Sequence, residues 1–289
     1  MEKHLFSFKT ILIAGLFITG FTACNKEKSD LTSSTPDVQS AQSLYTANVE
    51  DDNVQLMADQ AQSEGGITQR TAAPVDNSAV DLITSCVVVT RDTVSTTRVV
   101  TIDFGTGCTN NEGVTRKGKI IITYTGHYRD PGSTVHITTQ GYYVNENKID
   151  INRTVINNGE NHDGNLTFTV HSIRTVTYPD GTTSSSTVDR TREWIAGANT
   201  PHDFTDDVWR ITGTTTHTSR TGVVYDGSTV TPLIRKVSCH QFVSGIEKVV
   251  RHAEHTKYFT IDFGTGVCDN KATVTLDNGK SYTIKLHSK

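Results

Sequence analysis

From residue 81 to the C-terminus, apolar and polar residues alternate in short runs that are separated by turn sequences. Runs such as Thr134–Val144 and Ile149–Ile156 have the two-residue period of strands with one buried face. Asn-Gly and Asp-Gly pairs supply the positive φ angles that hairpin turns need. These pairs are Asn158-Gly159, Asp163-Gly164, Asp180-Gly181, Asp226-Gly227 and Asn278-Gly279. The pattern predicts one all-β domain over residues 81–289, an antiparallel sandwich, barrel or wrapped sheet of about a dozen strands.

Composition agrees with this prediction and excludes several classes of protein. Threonine, which favours strands, occupies 47 of the 289 positions. Hydrophobic residues make up 35% of the chain and the formal net charge is −4. These values exclude a disordered chain, a collagen, a polytopic membrane protein and a basic nucleic-acid binder.

The N-terminus has the pattern of an export signal. Lys3 and Lys9 precede the apolar run Ile11–Phe21, which is too short to span a bilayer. The following sequence, Phe21-Thr22-Ala23-Cys24, resembles a bacterial lipobox. This resemblance implies that residues 1–23 are a lipoprotein signal peptide and that Cys24 becomes the lipidated first residue of the mature protein.

Residues 24–80 are predicted to be a lipidated tether. Residues 25–46 are mostly polar and are expected to form a flexible stalk. Residues 47–64 are rich in helix formers, with acidic residues at the start and Gly65-Gly66 at the end, so a short helix is predicted there. Its apolar stripe is thin, which favours loose docking or none.

The heptapeptide TIDFGTG occurs twice, at Thr101–Gly107 and at Thr260–Gly266, with cysteines on both sides of each copy. Ile102 and Phe104 are expected to share one face of a strand, with Asp103 on the other face and free to accept hydrogen bonds from turn amides. The four cysteines allow three connectivities. Hairpin geometry favours Cys86–Cys108 and Cys239–Cys268, which an exported protein would form in an oxidising compartment.

Two tryptophans lie close to three carboxylates in one stretch of sequence. Trp194 and Trp209 flank Asp203, Asp206 and Asp207. A tryptophan beside carboxylates is typical of a sugar-binding platform, and two carboxylates suffice for glycoside hydrolysis. The alternative is structural, with tryptophan in the core and aspartate in the turn.

Other chemistry has little support in the sequence. No serine-hydrolase elbow, P-loop or dinucleotide-binding glycine motif occurs, so neither a cofactor nor a catalytic residue is predicted. His252 and His255 lack metal-site spacing, and His136, His171 and His217 are interpreted as exposed polar positions, so no metal is predicted. The hydroxyl-rich runs Thr182–Thr187 and Thr212–Thr218 are interpreted as a solvated sheet face or a polar binding face for glycans or peptides.

The lipobox, polar stalk, short acidic helix and cysteine-flanked TIDFGTG hairpins together resemble cell-envelope lipoproteins of Bacteroidetes-type bacteria. The resemblance implies an outer-membrane location, in an unspecified leaflet, and brings no activity with it. The function predicted is therefore non-enzymatic binding or scaffolding. The partners would be the membrane, through Cys24, and an envelope protein or glycan, with no nucleic acid. Alternatives are a glycan-binding module around Trp194 and Trp209, a glycoside hydrolase, or a lipid carrier with an apolar groove.

Overall fold

The computed structural model describes residues 35–62, 86–92, 98–111, 113–200, 203–255 and 257–286. The predicted signal peptide and the lipidation site at Cys24 lie outside these residues. The described chain forms one helix, α1 (Pro36–Gln62), followed by fourteen strands. The strands are β1 (Val88–Asp92), β2 (Arg98–Asp103), β3 (Cys108–Thr109), β4 (Thr115–Tyr124), β5 (Thr134–Val144), β6 (Asn147–Glu160), β7 (Leu166–Thr177), β8 (Thr183–Ala196), β9 (Val208–Thr218), β10 (Val224–Lys236), β11 (Gln241–Arg251), β12 (Tyr258–Thr265), β13 (Lys271–Leu276) and β14 (Ser281–Lys285).

All fourteen strands belong to one antiparallel sheet that follows the order of the chain. Each strand pairs with the next, except that β2 pairs with β4 and the short β3 pairs beside it on β4. The sheet is open, and its first and last strands, β1 and β14, are its edges. The all-β prediction is confirmed, and of the three predicted architectures the structure has the wrapped sheet.

One predicted strand crosses a reversal of the chain. The sequence pattern predicts a strand over Ile234–Phe242, but β10 ends at Lys236 and β11 begins at Gln241. A 3₁₀ turn at Val237–Cys239 separates the two strands, and His240 after it has a φ of 57°. Apolar and polar residues alternate within the turn itself, at Val237, Ser238 and Cys239, so periodicity alone did not reveal it.

The helix begins earlier than predicted and lies inside the sheet. Residues 36–46, expected to be a flexible stalk, are helical, and α1 ends at Gln62. Pro36 occupies the first helical position, where its missing N–H breaks no helical hydrogen bond. Every residue from Asp51 through Ala58 is buried, so the sheet surrounds this part of the helix. The prediction of loose docking is therefore wrong.

Buried apolar residues of α1 lie on both sides of the polar segment Glu50–Asn53. Val38 and Leu44 near the N-terminus, and Met57 and Ala61 near the C-terminus, are at most 1% exposed. Tyr45 contacts the rings of Phe242 and Phe263 at centroid distances of 6.4 and 5.8 Å. The helix backbone comes closest to β2, β13 and β14, next to the open side of the sheet.

The two TIDFGTG segments lie near opposite edges of the sheet, in and after β2 and in β12. In each, the aspartate accepts a hydrogen bond from the glycine amide two residues later, at 2.8 Å for Asp103 and 2.9 Å for Asp262. The predicted inward residues are buried: Ile102, Phe104, Ile261 and Phe263 are at most 2% exposed.

Both predicted disulfides are confirmed, as Cys86–Cys108 and Cys239–Cys268. They close chain segments with sequence separations of 22 and 29 residues. In the chain-entropy model, loops of this size contribute about 3.5 kcal/mol each to stability. One disulfide holds the chain that leads into the edge strand β1, and the other holds the 3₁₀ turn before β11 near the opposite edge.

Gly118 lies in the middle of β4, where the structure requires a residue without a Cβ atom. Its φ is +84°, and an added Cβ would lie 1.9 Å from the carbonyl oxygen of Gly141. Gly132 has nearly the same φ, +82°, but has no atom within 4 Å of an added Cβ. Substituting each of these two glycines by alanine therefore separates the energetic cost of backbone strain, which both share, from the cost of the steric clash, which only Gly118 has.

We expect Gly118→Ala to lower the free energy of unfolding by more than about 3 kcal/mol, because the β4–β5 pairing must shift to admit the methyl group. Gly132→Ala should cost only about 1 kcal/mol, the strain of a positive φ. Urea denaturation of both variants measures the difference. Equal losses of unfolding free energy in the two variants would show that a methyl group at position 118 does not clash with the Gly141 carbonyl oxygen.

Candidate functional site

The two tryptophans predicted as a sugar platform are buried against each other. Trp194 in β8 and Trp209 in β9 are cross-strand neighbours with stacked rings, 4.9 Å between centroids. They are only 5% and 3% exposed. Stacking on a sugar requires an exposed ring face, so this arrangement favours the structural interpretation of the two tryptophans.

Two arginines flank the tryptophan pair. The guanidinium carbon of Arg129 lies 4.6 Å from the ring centroid of Trp194, and that of Arg192 lies 4.1 Å from the centroid of Trp209. Both distances are within the range of cation–π attraction. Arg129 also donates a hydrogen bond to the carbonyl oxygen of Ala198 in the loop after β8. Arg129 thus ties the stacked rings to the neighbouring backbone.

The three predicted carboxylates differ in environment. Asp207 is 3% exposed and accepts a hydrogen bond from the Trp194 indole N–H at 3.0 Å. Asp203 is exposed and accepts from the Thr205 amide at 2.8 Å, an interaction typical of a turn. Asp206, also exposed, accepts from the Thr200 hydroxyl at 2.8 Å. Only Asp207 belongs to the tryptophan cluster.

Burial raises the pKa of two carboxyl groups near the tryptophan pair, those of Asp207 and Asp59. The pKa of Asp207 is raised to about 7 by desolvation, and the negative charge of Asp59 adds to the increase. Desolvation also raises the pKa of Asp59, near the C-terminus of α1, to about 6, although Arg192 opposes the increase. Near neutral pH, therefore, both carboxyl groups titrate, and ionising them costs folding free energy.

The inward face of the sheet carries six buried arginines, a feature that the sequence analysis did not predict. They are Arg116, Arg153, Arg174, Arg190, Arg192 and Arg235, from five different strands, and each is at most 7% exposed. Buried charges are costly unless they are paired. Their principal partners lie on α1, which presents Glu50, Asp51, Asp52 and Asn53 in succession.

The helix and the arginines form a connected network. Glu50 receives hydrogen bonds from Arg116 at 3.2 Å and from the Tyr142 hydroxyl at 2.8 Å. Asp51 is paired with Arg153 and accepts from the Ser172 hydroxyl at 2.8 Å. Arg235 lies 3.4 Å from an Asp52 carboxylate oxygen and donates to Asn53 at 3.0 Å. Strands on several sides of the helix are thereby fixed to one short acidic segment.

The outward side of β7, β8 and β9 carries hydroxyl groups in register. We call this surface the hydroxyl face; it consists of Thr169, Thr187, Thr191, Thr212, Thr214 and Thr216. Thr191 is paired with Thr169 on one side and with Thr212 on the other. Thr187 is likewise paired with Thr216. Neighbouring strands lie about 4.8 Å apart, so the hydroxyl groups form regular rows on a solvent-facing surface.

Histidines occupy both sides of the sheet. His171 on the outer side shares a hydrogen bond of 2.7 Å with Asp189, and His252 shares one of 2.5 Å with Asp226. His217 in β9, predicted to be exposed, faces inward and is 1% exposed. Within the described part of the chain, no three histidine, cysteine or acidic side chains converge as metal ligands.

Comparisons with known proteins leave the site to be interpreted from its geometry. No family model, curated protein or solved structure matches this chain. In the part of the chain that the structure describes, α1 is not long and apolar enough to cross a membrane.

The raised pKa of Asp207 predicts a pH-dependent effect of removing its charge. Its folded pKa of about 7 lies above the unfolded value of about 3.9, so its contribution to stability is present at low pH and lost as pH rises towards 7. Asp207→Asn keeps an acceptor for the Trp194 indole. We expect this variant to gain about 2 kcal/mol relative to the wild type between pH 5 and pH 8.

Urea denaturation at both pH values measures this gain. Asp203→Asn is the matched control, because hydrogen bonds from Thr205 lower the pKa of exposed Asp203 and its charge is constant over this range. A difference between wild type and Asp207→Asn that is the same at pH 5 and pH 8 would contradict the assignment.

The charged network predicts unequal effects for two cations of the same strand. Arg153→Ala should lower the free energy of unfolding by about 3–5 kcal/mol, because it leaves the Asp51 carboxylate buried without its cation. Lys148 pairs with Asp150 at 2.7 Å on the exposed side of β6, so Lys148→Ala should cost less than about 1 kcal/mol. Similar losses, measured by urea denaturation, would show that the network does not hold the helix.

Proposed function

We propose that this chain is a non-enzymatic domain, anchored in the cell envelope through a lipid on Cys24, that binds or scaffolds a partner on the outer side of its sheet. The partner would be an envelope protein or a glycan. An outer-membrane lipoprotein is the location that the N-terminal sequence favours. The observation that carries the proposal is the contrast between the two sides of the sheet.

The inner side of the sheet is engaged by the chain's own helix. Side chains of β4, β5, β6, β7 and β10 bind α1 through the polar segment Glu50–Asn53 and the backbone. Apolar contacts at both ends of the helix add to this. A lipid-sized groove of the kind required by a carrier would have to replace these contacts, so the outer side is the more accessible surface for a macromolecule.

The hydroxyl face has the chemistry of a polar recognition surface. Threonine hydroxyls both donate and accept hydrogen bonds, and their β-branched side chains are stiff. The Thr216 hydroxyl is already oriented by a hydrogen bond of 3.0 Å with Asp226. Because the face lies on long central strands and is paired on both sides, little conformational entropy would be lost when it binds.

A photo-crosslinking amino acid at Thr214 tests the binding face in cells. We expect a discrete adduct from Thr214 and none from Lys271, an exposed position in β13. The adduct should disappear when Thr187→Arg and Thr216→Arg are added, since these changes obstruct the face without altering the inner side. Equal labelling at both positions, or an adduct that survives the obstruction, would contradict this face as the binding surface.

The anchor is tested separately. Cys24→Ser should abolish incorporation of labelled palmitate and move the protein from the membrane fraction to the soluble fraction, since acyl chains provide the attachment. Cys24 is outside the β domain, so the variant should fold normally. Unchanged labelling and fractionation would contradict lipidation at this residue.

A further inference from the structure

The connections between strands lie at two opposite ends of the sheet, because each strand is antiparallel to its neighbour. The turns that join β5 to β6, β7 to β8, β9 to β10, β11 to β12 and β13 to β14 lie at one end. We call them the entry turns, because α1 begins beside them. The loops that join β4 to β5, β6 to β7, β8 to β9, β10 to β11 and β12 to β13 lie at the other end, and we call them the exit loops. The tryptophan pair belongs to the exit end, since Trp209 is the second residue of β9.

The start of α1 is bonded to the entry end of the sheet. Tyr225 is the second residue of β10, just after the entry turn that follows β9. Its hydroxyl accepts a hydrogen bond from Ser40 at 3.1 Å and donates one to Asp37, also at 3.1 Å. Arg251, the last residue of β11, donates to the same Asp37 carboxylate at 2.8 Å. The first turn of the helix is thereby held where two strands meet their entry turns.

From there α1 runs along the sheet to the exit end. Beyond the middle of the helix, Asn53 accepts a hydrogen bond at 3.0 Å from Arg235, close to the exit end of β10. Further along, the charge of Asp59 raises the pKa of Asp207, which directly precedes β9. A helix of 27 residues is about 40 Å long. A membrane anchor joined to the N-terminus of this helix is therefore joined to the entry end of the domain.

The chain between the proposed anchor and the helix is short. Only ten residues separate Cys24 from Thr35, where the described helical region begins. The helix contains residues 36–46, which the sequence analysis had assigned to the stalk, so the tether is about half its predicted length. Its eleven Cα–Cα steps reach at most about 40 Å. Placing the exit loops against the bilayer would require this tether to be fully stretched along the domain, at a large cost in conformational entropy.

The charges of the entry turns are paired with one another. Arg220 in the turn after β9 forms an ion pair with Asp180 in the turn after β7. Lys257 before β12 lies 3.2 Å from Asp277 in the turn after β13. These pairs join neighbouring turns and balance their charges, so this end of the domain has no strong attraction to anionic headgroups. The tether, and not the lipid charge, would then decide which end faces the membrane.

We propose that the domain stands on the membrane with its entry turns towards the bilayer, α1 pointing away from it, and the exit loops furthest from it. The inference rests on the lipid at Cys24 proposed above, and it adds the surface of the domain that meets the membrane. The hydroxyl face lies on β7, β8 and β9, which run between the two ends. In this orientation the face stands beside the bilayer and stays accessible to a partner.

The test measures energy transfer from a dye on the domain to an acceptor-labelled lipid. Full-length lipidated protein is added to phosphatidylcholine vesicles that contain this lipid. The dye is attached at Thr221→Cys in an entry turn or at Thr205→Cys in an exit loop. The two threonines are matched, because each hydroxyl bonds to the side chain two residues earlier, at 3.1 Å to Ser219 and at 2.5 Å to Asp203. We expect at least about threefold more transfer from Thr221→Cys, because the 11 residues of β9 between the two dyes are about 35 Å long.

The outcomes separate the orientation from the anchor. Equal transfer from the two positions in vesicle-bound protein, or more from Thr205→Cys, would overturn the orientation and leave the anchor intact. Cys24→Ser protein with the dye at Thr221→Cys should stay in solution and show no transfer. If protein that retains Cys24 also stays in solution, the anchor and the orientation are both wrong. Asp163→Cys, in the exit loop after β6, gives a second distal measurement that does not depend on the folding of Thr205→Cys.

Two further changes identify the cause of the orientation. Inserting about twenty glycine and serine residues between Ser34 and Thr35 roughly triples the reach of the tether and should bring the two transfer efficiencies close together. Adding phosphatidylglycerol to the vesicles should leave the difference between the two positions as it is. A difference that survives the insertion, or one that arises only with the anionic lipid, would overturn the proposal that the short tether orients the domain.

Discussion

The ion pairs between the middle of α1 and the inward arginines are the interaction on which this fold depends. The central segment Glu50–Asn53 gains little from the hydrophobic effect, and its carboxylates could not be buried against an apolar wall. The sheet supplies arginines whose length reaches across the interior, and the helix supplies Glu50, Asp51 and Asp52 where those side chains converge. Each partner makes the burial of the other possible.

This mutual dependence explains the position of the helix in the open sheet. The helix backbone lies closest to β2, β13 and β14, near the open side, and aromatic contacts of Tyr45 hold it there. Strands on the opposite side are bridged by arginine side chains. Near one edge of the sheet, Arg91 of β1 donates to the carbonyl oxygen of Ala61, and at the other edge Gln42 donates to that of Lys285 in β14. The helix therefore connects the two unpaired edges as well as filling the interior.

Sequence reasoning predicted the sheet well because its signals are local. Alternation, turn pairs and cysteine spacing led to the strands, the wrapped architecture among the alternatives, and both disulfides. The helix was misjudged because polarity was equated with exposure. Thr35-Pro36-Asp37 is a recognisable helix start that would have placed the N-terminus correctly. The arginines also left a signal, since Arg190 and Arg192 share the alternation of the buried residues Val188 and Trp194.

The tryptophan cluster could be located from the sequence but not oriented by it. Trp194 and Trp209 are adjacent because β8 and β9 pair in register, and that register places both rings inward with Asp207. A shift of one residue would have turned them to solvent and made the predicted platform. Register depends on the whole interior, including the arginines and the helix. The same register that buries the tryptophans turns Thr191 and Thr212 outward, so the inner network and the hydroxyl face are two consequences of a single pairing.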